Sequence, residues 1–536
     1  MPGPKGPGLH TVEIDSQSPS AITVDRTLVS ALREQLQSET GQPVSLVETH
    51  ISWVLLTRRL AYKLKKPVSL GFVDFSTLTA RKHFCEEEVR LNHRLAPSLY
   101  LGVVPVRGTL QAPRIEGEDG DVIDFVVCMR RFPEDGLLRN LLQTERVEAA
   151  ELERFARRLA AFHGRTQAAD PLSAFGGPEQ TGRAVVDALA RLRAECGAHR
   201  TNALEIWVAE QRKELHTAWL ARQHNGAVHE CHGDLHLANV VLIHDELIAF
   251  DCIEFDPALR WIDVMSDVAF LTMDLKAHGR GDLAYRFLDA YLQHSGDYAG
   301  VPVLRFYEVY RALVRTLVCA LRARTGGSAS QSPEPDYFAC AEQLVEDAVG
   351  APRLMITHGL SGSGKSTVAA SLLAAAGAIR IRSDVERKRL FGLTALQRSN
   401  DRQVDIYTPD ATRRTFDRLA ECARTALQAG YPVIVDAAFL RRGERRAFRA
   451  LAAELRVPFS ILHCCAAEVQ LRRRVVARGA DGSDASEANL AVLERQLATH
   501  EPLDDGERVF ELEVNTEAPV DVAALLARWL APVGRS

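Results

Sequence analysis

THGLSGSGKST, residues 357–367, directly follows the apolar run Leu354-Met355-Ile356 and leads into an apolar-periodic helix. Gly359-Leu360-Ser361-Gly362-Ser363-Gly364-Lys365-Ser366 fits G-x-x-x-x-G-K-[ST] at every position. A glycine-rich turn between a strand and a helix lets backbone N–H groups point inward around phosphate oxygens, and the new helix presents its positive end to them. On this reading Lys365 reaches the β- and γ-phosphates, Ser366 holds Mg²⁺, and Thr367 belongs with the loop as a nucleotide contact. ATP and Mg²⁺ are the ligands expected.

Working outward, strand and helix patterns alternate. Strands are expected at residues 353–357, 379–381, 433–436, 458–464 and near 509–514, with helices between, which argues a parallel sheet covered on both faces. Asp436 closes the run Val433-Ile434-Val435, where a strand's carboxyl end would set a carboxylate beside Mg²⁺; a simple strand-end cap is the alternative. Asp384, just after the second strand, faces the same crevice and could orient an acceptor hydroxyl and take its proton, or it could N-cap the helix that follows. Arg474 and Arg478 lie four apart on a predicted helix and could clamp phosphate from a lid, although Arg472 and Arg473 make that helix basic all round.

These motifs, together with RSDVERKRL from Arg382 and VIVDAAFL from Val433, resemble the small P-loop kinases, a group that includes polynucleotide, zeta-toxin-like and gluconate or shikimate kinases. The resemblance covers residues 352–529. It implies ATP and a phosphoacceptor without saying which acceptor.

The first half has its own chemistry. His232-Gly233-Asp234-Leu235-His236-Leu237-Ala238-Asn239 contains H-x-D-x-x-x-x-N, and Asp251 follows an apolar strand at 247–250. In protein-kinase-like enzymes such an Asp serves the acceptor hydroxyl, and the Asn and later Asp bind Mg²⁺, roles that fall here to Asp234, Asn239 and Asp251. The stretch resembles the aminoglycoside phosphotransferase and choline-kinase-like branch of that fold, as does LAAFH at 159–163, over about residues 44–324. The resemblance implies a lysine paired with a helix glutamate: Lys63 in Ala61-Tyr62-Lys63, with Lys65 as fallback, and Glu88 as partner. No G-x-G-x-x-G loop precedes Lys63, which weakens the inference of ATP use without removing it. His236 is expected to stabilise its loop, and Asp263 and Asp267 to anchor the catalytic loop from a helix. A hairpin is read at 52–68, a helix at 81–95 and a strand at 124–129.

The fold class expected is thus an α+β protein-kinase-like bilobal domain followed by an α/β P-loop NTPase domain with a parallel sheet. The length of 536 residues suits two or three domains. Gly, Ser and Pro concentrate at residues 324–335, which suggests a flexible start and leading helix over 1–40, a kinase-like domain over 41–324, a linker and connecting helix over 325–351, and a P-loop domain over 352–536.

A net charge of −5 gives no reason to expect a nucleic-acid-coating surface, so a small-molecule hydroxyl acceptor is favoured over nucleic acid. The ten cysteines show no CxxC pair, no run of about 18 apolar residues occurs, and the start MPGPKGPG lacks a signal-peptide core, so a cytoplasmic protein without membrane spans is expected. Oligomeric state is not legible. The leading reading is a kinase fusion moving the γ-phosphoryl of ATP at two sites. Two alternatives stand beside it: a switch in which one domain binds ATP and regulates the other, and an RNA or DNA 5′-hydroxyl end kinase.

Overall fold

A computed structural model describes residues 19–70, 73–115, 117–324, 334–347, 352–399, 405–481 and 484–531. The expected flexible start as far as residue 18, the Gly/Ser-rich segment 325–333 and residues 482–483, shortly after Arg478, lie outside them. The chain groups into two compact units, one of residues 1–147 and 229–262, the other of residues 148–228 and 263–536.

In the first unit the antiparallel sheet runs, edge to edge, Ser45–Glu48, Ser52–Leu56, Leu60–Lys65, Val122–Arg130, Tyr100–Gly108 and Pro113–Ile115. Strand alternation sorts its side chains. Trp53, Leu55, Tyr62 and Leu64 point to one face, where Leu28, Leu32 and Leu36 of the leading helix Pro19–Thr40 cover them at helical spacing. Burying each of these leucines is worth about 1.5–3 kcal/mol. Val54, Leu56 and Ala61 point to the other face with Cys85 and Val89 of the helix Leu78–Asn92. That helix starts where Thr77 accepts from the Ala80 N–H. Lys63 and Lys65 share the parity of Ala61, so they emerge on the face that this helix covers.

The expected hairpin is therefore present as 52–56 paired with 60–65, and the helix starts three residues earlier than its periodicity suggested. The sequence reading did not identify Tyr100–Gly108. Its Gly, Pro and register shifts against Val122–Arg130 interrupt the alternation that marks a strand.

The second unit joins a helical assembly to the P-loop sheet. Its five strands run Ile379–Arg382, Val433–Asp436, Leu354–His358, Phe459–Cys465, Glu511–Asn515, and all four pairings are parallel. Leu354, Met355 and Ile356 are each wholly buried, so both faces of the central strand are covered, as a parallel sheet requires. The helix Gly281–Ser295 packs against Lys365–Ala376 and Ile379–Arg382. Tyr285 joins the apolar cluster under Lys365–Ala376, and Asp289 pairs with Arg380, both nine-tenths buried, at 2.7 Å.

A fragment beginning at residue 336 keeps the sheet but strands Arg380 without its carboxylate. Losing one partner of a buried pair costs about 3–5 kcal/mol, so calorimetry should show the fragment melting roughly 10 °C below the same segment in the full chain. Equal melting would mean that the pair adds no stability.

Candidate active sites

The first site is built around Glu88. Its carboxylate, wholly buried, accepts from Lys63 Nζ with Oε1 and from Lys65 Nζ with Oε2, each at 2.8 Å. Lys63 also reaches Asp251 Oδ1 at 2.5 Å, while Lys65, itself wholly buried, pairs with Glu254. The two lysines thus divide the work. Lys65 ties the helix to the segment after Asp251, and Lys63, the one with some exposure, lies beside the carboxylate expected to bind metal. Burial alone would raise the Glu88 carboxyl, but the two ammonium groups outweigh it and hold Glu88 at about 2. Burial likewise opposes the charge on Lys63, and Asp251 and Glu88 reverse this to push its pKa well above the ordinary lysine value.

The segment 229–262 presents the other groups. Val240–Ile243 and Glu246–Ala249 pair through a tight turn at His244 and Asp245, both with positive φ, as two-residue hairpins require. Val240 opposes Ala249, and Phe250 N–H donates to the Asn239 carbonyl at 2.9 Å, so the register brings the residues flanking the hairpin, Asn239 and Asp251, to the same end. Asn239 Nδ2 donates to Asp234 at its carbonyl and at Oδ2, both 3.0 Å. His232 is buried, with Nε2 at 2.9 Å from the Phe250 carbonyl and Nδ1 accepting from Asp234 N–H at 3.3 Å. His232 thereby braces both the Asp234 turn and the Asp251 turn.

Gly233 sits at φ +87°, where a Cβ would meet the Leu259 carbonyl at 2.7 Å. Asp251 also holds a positive φ of 65°, a strained setting for a non-glycine residue of the kind that clusters at functional sites. Asn92 and Tyr100, absent from the sequence reading, hold that turn: Asn92 Oδ1 accepts from Cys252 N–H at 3.0 Å and Tyr100 Oη from Asp251 N–H at 3.2 Å. Asn92 lies one helical turn after Glu88, and that spacing was the available signal. His236 accepts from Ala238 N–H through Nδ1 at 3.2 Å, a bond within its own loop of the kind expected. In the second unit, Asp263 caps the helix Val264–Ala277 and pairs with Arg222, and Asp267 lies 3.3 Å from His163 Nε2.

The second site lies on the loop 359–366, after the strand Leu354–His358. Gly359, Gly362 and Gly364 all hold positive φ, and a Cβ at Gly359 would come within 2.4 Å of the Cys464 carbonyl, so glycine is obligatory there. Ser366 Oγ donates to Asp436 Oδ1 at 3.2 Å. Lys365 Nζ folds over the loop to the Leu360 carbonyl at 2.8 Å and Ser363 Oγ at 3.4 Å. Burial lowers its pKa, an effect that Asp436 and Asp384 partly offset. Asp384 sits inside the helix Ser383–Leu390, whose N-cap position is Arg382, with no side-chain capping bond. The capping alternative for Asp384 therefore fails. Thr367 is exposed at the start of the helix.

Arg474 does not reach outward as a free clamp. Its guanidinium donates to the Gly362 carbonyl at 3.2 Å, to Thr516 Oγ1 at 2.8 Å and to the Thr516 carbonyl at 2.7 Å. Arg478 donates to the Ala488 carbonyl at 3.1 Å and is close enough to Lys365 to lower its pKa. Thr516 and Gln496, whose Oε1 accepts from Ser361 N–H at 2.9 Å, support the loop and were missed in sequence. Thr516 follows the last strand, and the carboxyl ends of parallel strands are where such contacts collect.

Both donor sets suit a hard divalent cation. Asp436 Oδ2 is buried without a hydrogen-bond partner while its Oδ1 accepts from Ser366 Oγ, and the hairpin register brings Asn239, its amide nitrogen engaged by Asp234, to the same end as Asp251. Oxygen donors of this kind fit Mg²⁺.

Replacing Lys65 with Met leaves Glu254 and half of Glu88 unpaired in the interior. Lys65→Met should cost about 3–5 kcal/mol in denaturant unfolding. Lys63→Met also removes a partner of the buried Glu88 and should destabilise the fold, but it alone should weaken Mg·nucleotide binding by the folded protein; equal weakening of binding by both variants would refute this division. Because Glu88 is held at about 2 in the fold against 4.5 when free, its contribution to stability is complete above about pH 4.5 and is lost on acidification toward pH 2. Glu88→Gln should flatten that acid limb of the unfolding profile.

Known families match both segments. Residues 73–307 match a model described as a phosphotransferase enzyme family, and residues 354–503 match one described as an AAA domain. An uncharacterized protein of Mycobacterium tuberculosis is 30% identical over 465 residues, covering 86% of this chain and 91% of the relative. Among solved structures, a choline/ethanolamine kinase family protein from Mesorhizobium loti aligns at 13% identity over 60% of this chain and 92% of its own, TM-score 0.37. A gluconokinase from Sinorhizobium meliloti aligns at 22% identity over 34% of this chain and 91% of its own, TM-score 0.24. The chain belongs to the same family as the mycobacterial protein, and it joins a protein-kinase-like phosphotransferase domain to a P-loop kinase domain.

Proposed function

We propose that the chain is an ATP-dependent phosphotransferase with two nucleotide sites, each passing the γ-phosphoryl group to a hydroxyl of a small molecule. One repeated observation supports this reading: in each site a lysine stands with oxygen donors suited to a divalent cation, Lys63 paired with Asp251, and Lys365 folded over the loop whose Ser366 donates to Asp436. Asn239 with Asp251 in the first site, and Ser366 with Asp436 in the second, would hold Mg²⁺, which would supply positive charge against the charge that develops during transfer.

In the first site Asp234, oriented by Asn239 Nδ2 and by His232, takes the proton of the acceptor hydroxyl as the acceptor oxygen bonds to the γ-phosphorus and the bond from that phosphorus to the β,γ-bridging oxygen breaks, with ADP leaving. Lys63, kept charged by Glu88 and Asp251, holds the α- and β-phosphates. In the second, the loop 359–366 and Lys365 cradle the triphosphate and Asp384 serves the acceptor. The acidic net charge favours a small acceptor over a nucleic-acid strand. Among the described residues, no helix is long and apolar enough to cross a membrane.

The test is a phosphoryl-transfer screen of the full chain against pools of metabolite, aminoglycoside and 5′-hydroxyl oligonucleotide acceptors. Asp234→Asn should lower turnover of the first site's acceptor by roughly 10²-fold while leaving ATP affinity intact, and Asp384→Asn should do the same for the second site's acceptor. Lys365→Ala should abolish nucleotide binding at the second site alone. Loss of ATP affinity in Asp234→Asn equal to that in Asp251→Ala would refute the roles assigned.

A further inference from the structure

Asp436 stands between two arginines that stop short of bonding to it. Its Oδ1 accepts from Ser366 Oγ, while its Oδ2 is buried without a hydrogen-bond partner. Arg382 Nε lies within 3.6 Å of Oδ2 and Arg380 Nη1 within 3.8 Å, inside ion-pair range and outside hydrogen-bond range. A buried carboxylate oxygen left unmatched is costly, and a guanidinium so near would ordinarily close on it.

Other partners hold both guanidinium groups back. Arg380 donates to Asp289 through Nη2 at 2.7 Å and Nε at 3.3 Å, and to the Ser366 carbonyl through Nη1 at 3.0 Å. Arg382 donates to Asp484 through Nη2 at 3.1 Å and to Gln293 through Nη1 at 3.4 Å. Tyr298 Oη fixes the Arg380 main chain from its carbonyl, at 3.3 Å. Asp289, Gln293 and Tyr298 all fall within residues 73–307, the phosphotransferase-family segment, whereas Arg380, Arg382 and Asp436 fall within the AAA-domain match.

We propose that Asp289 is a positioning residue of the P-loop site: it restrains Arg380 so that Asp436 Oδ2 stays open to the divalent cation. The inference rests on the reading of Ser366 and Asp436 as the cation site. It makes that site a composite, completed by a residue of the neighbouring family segment. With the Asp289 charge removed, Arg380 keeps its positive charge, loses its carboxylate, and turns its nearest donors to Asp436, where they compete with the cation. Arg382, held by Asp484, is the second cation restrained in the same way.

The test uses the full chain carrying Lys63→Met, so that binding reports the P-loop site. Calorimetry would follow a non-hydrolysable ATP analogue across Mg²⁺ concentrations and in EDTA, with melting temperature measured in parallel. Asp289→Asn should raise the half-saturating Mg²⁺ concentration about tenfold, the low end of what a competing charged hydrogen bond can impose, and leave affinity in EDTA unchanged. Asp289→Asn combined with Arg380→Gln should return the Mg²⁺ requirement to within about threefold of the parent, because the competitor is gone. A merely structural Asp289 would not be rescued in this way.

Arg380→Gln alone should need no more Mg²⁺ than the parent, and this keeps the proposal open to refutation if Asp289→Asn does not fold. A parent-like Mg²⁺ requirement in folded Asp289→Asn would overturn the proposal, as would a tenfold increase in Arg380→Gln or equal weakening with and without Mg²⁺. If Mg²⁺ does not strengthen binding in the parent and Ser366→Ala changes nothing, the cation-site reading itself falls, and the proposal with it.

Discussion

Two lysine ammonium groups share the single carboxylate of Glu88 in the interior of the first unit, one on each oxygen at 2.8 Å. Such an arrangement is stable only if nearly every charge finds a partner, since an ion stranded in low dielectric is among the costliest defects a fold can carry. Lys65 meets that demand with Glu254, and Lys63 with Asp251. The sheet, the helix Leu78–Asn92 and the segment after the hairpin are thereby held in one register. Asn92, a turn beyond Glu88, adds a neutral bond to the same segment. The strained Asp251 backbone is held from several sides at once, which is how unfavourable φ values persist.

The P-loop site carries a related constraint. Here the buried Asp436 Oδ2 has no hydrogen-bond partner although Arg380 and Arg382 stand within ion-pair range of it. The sheet order, with Leu354–His358 flanked by Val433–Asp436 and Phe459–Cys465, brings the glycine loop and the Asp436 strand end together. Glycines at 359, 362 and 364 permit the close backbone approach. Arg474, Thr516 and Gln496 then fix the loop from outside, so its shape does not depend on the loop residues alone.

In each site, local sequence supplies the atoms that would touch phosphate or metal, and neighbouring elements supply the restraint. Asp234 and Asn239 are five residues apart and bond to each other directly. By contrast, Arg380 lies 91 positions from Asp289, and the bond between them exists only because the helix Gly281–Ser295 packs against the strand Ile379–Arg382.

The sequence by itself determined the chemically typed positions. The glycine loop, Asp436 at its strand end, and the Asp234–Asn239 loop with Asp251 could be read from motif spacing and strand-end position, and the Lys63–Glu88 pair from the resemblance to the phosphotransferase branch, as candidates for the two sites. Parallel strands were legible in the P-loop segment from apolar runs between helices, and the Lys63 strand from its alternation. Only the tertiary structure decided that Lys65 is the wholly buried tie and Lys63 the partly exposed lysine beside Asp251, since equal parity on one strand cannot tell how far each ammonium reaches. It also showed that Asp384 does not cap its helix and that Arg474 braces the loop. Asp289, Asn92, Tyr100, Gln496 and Thr516 carried no motif. Their roles come from packing between elements distant in the chain, where a polar side chain acquires meaning from the unmatched donor or acceptor it happens to face.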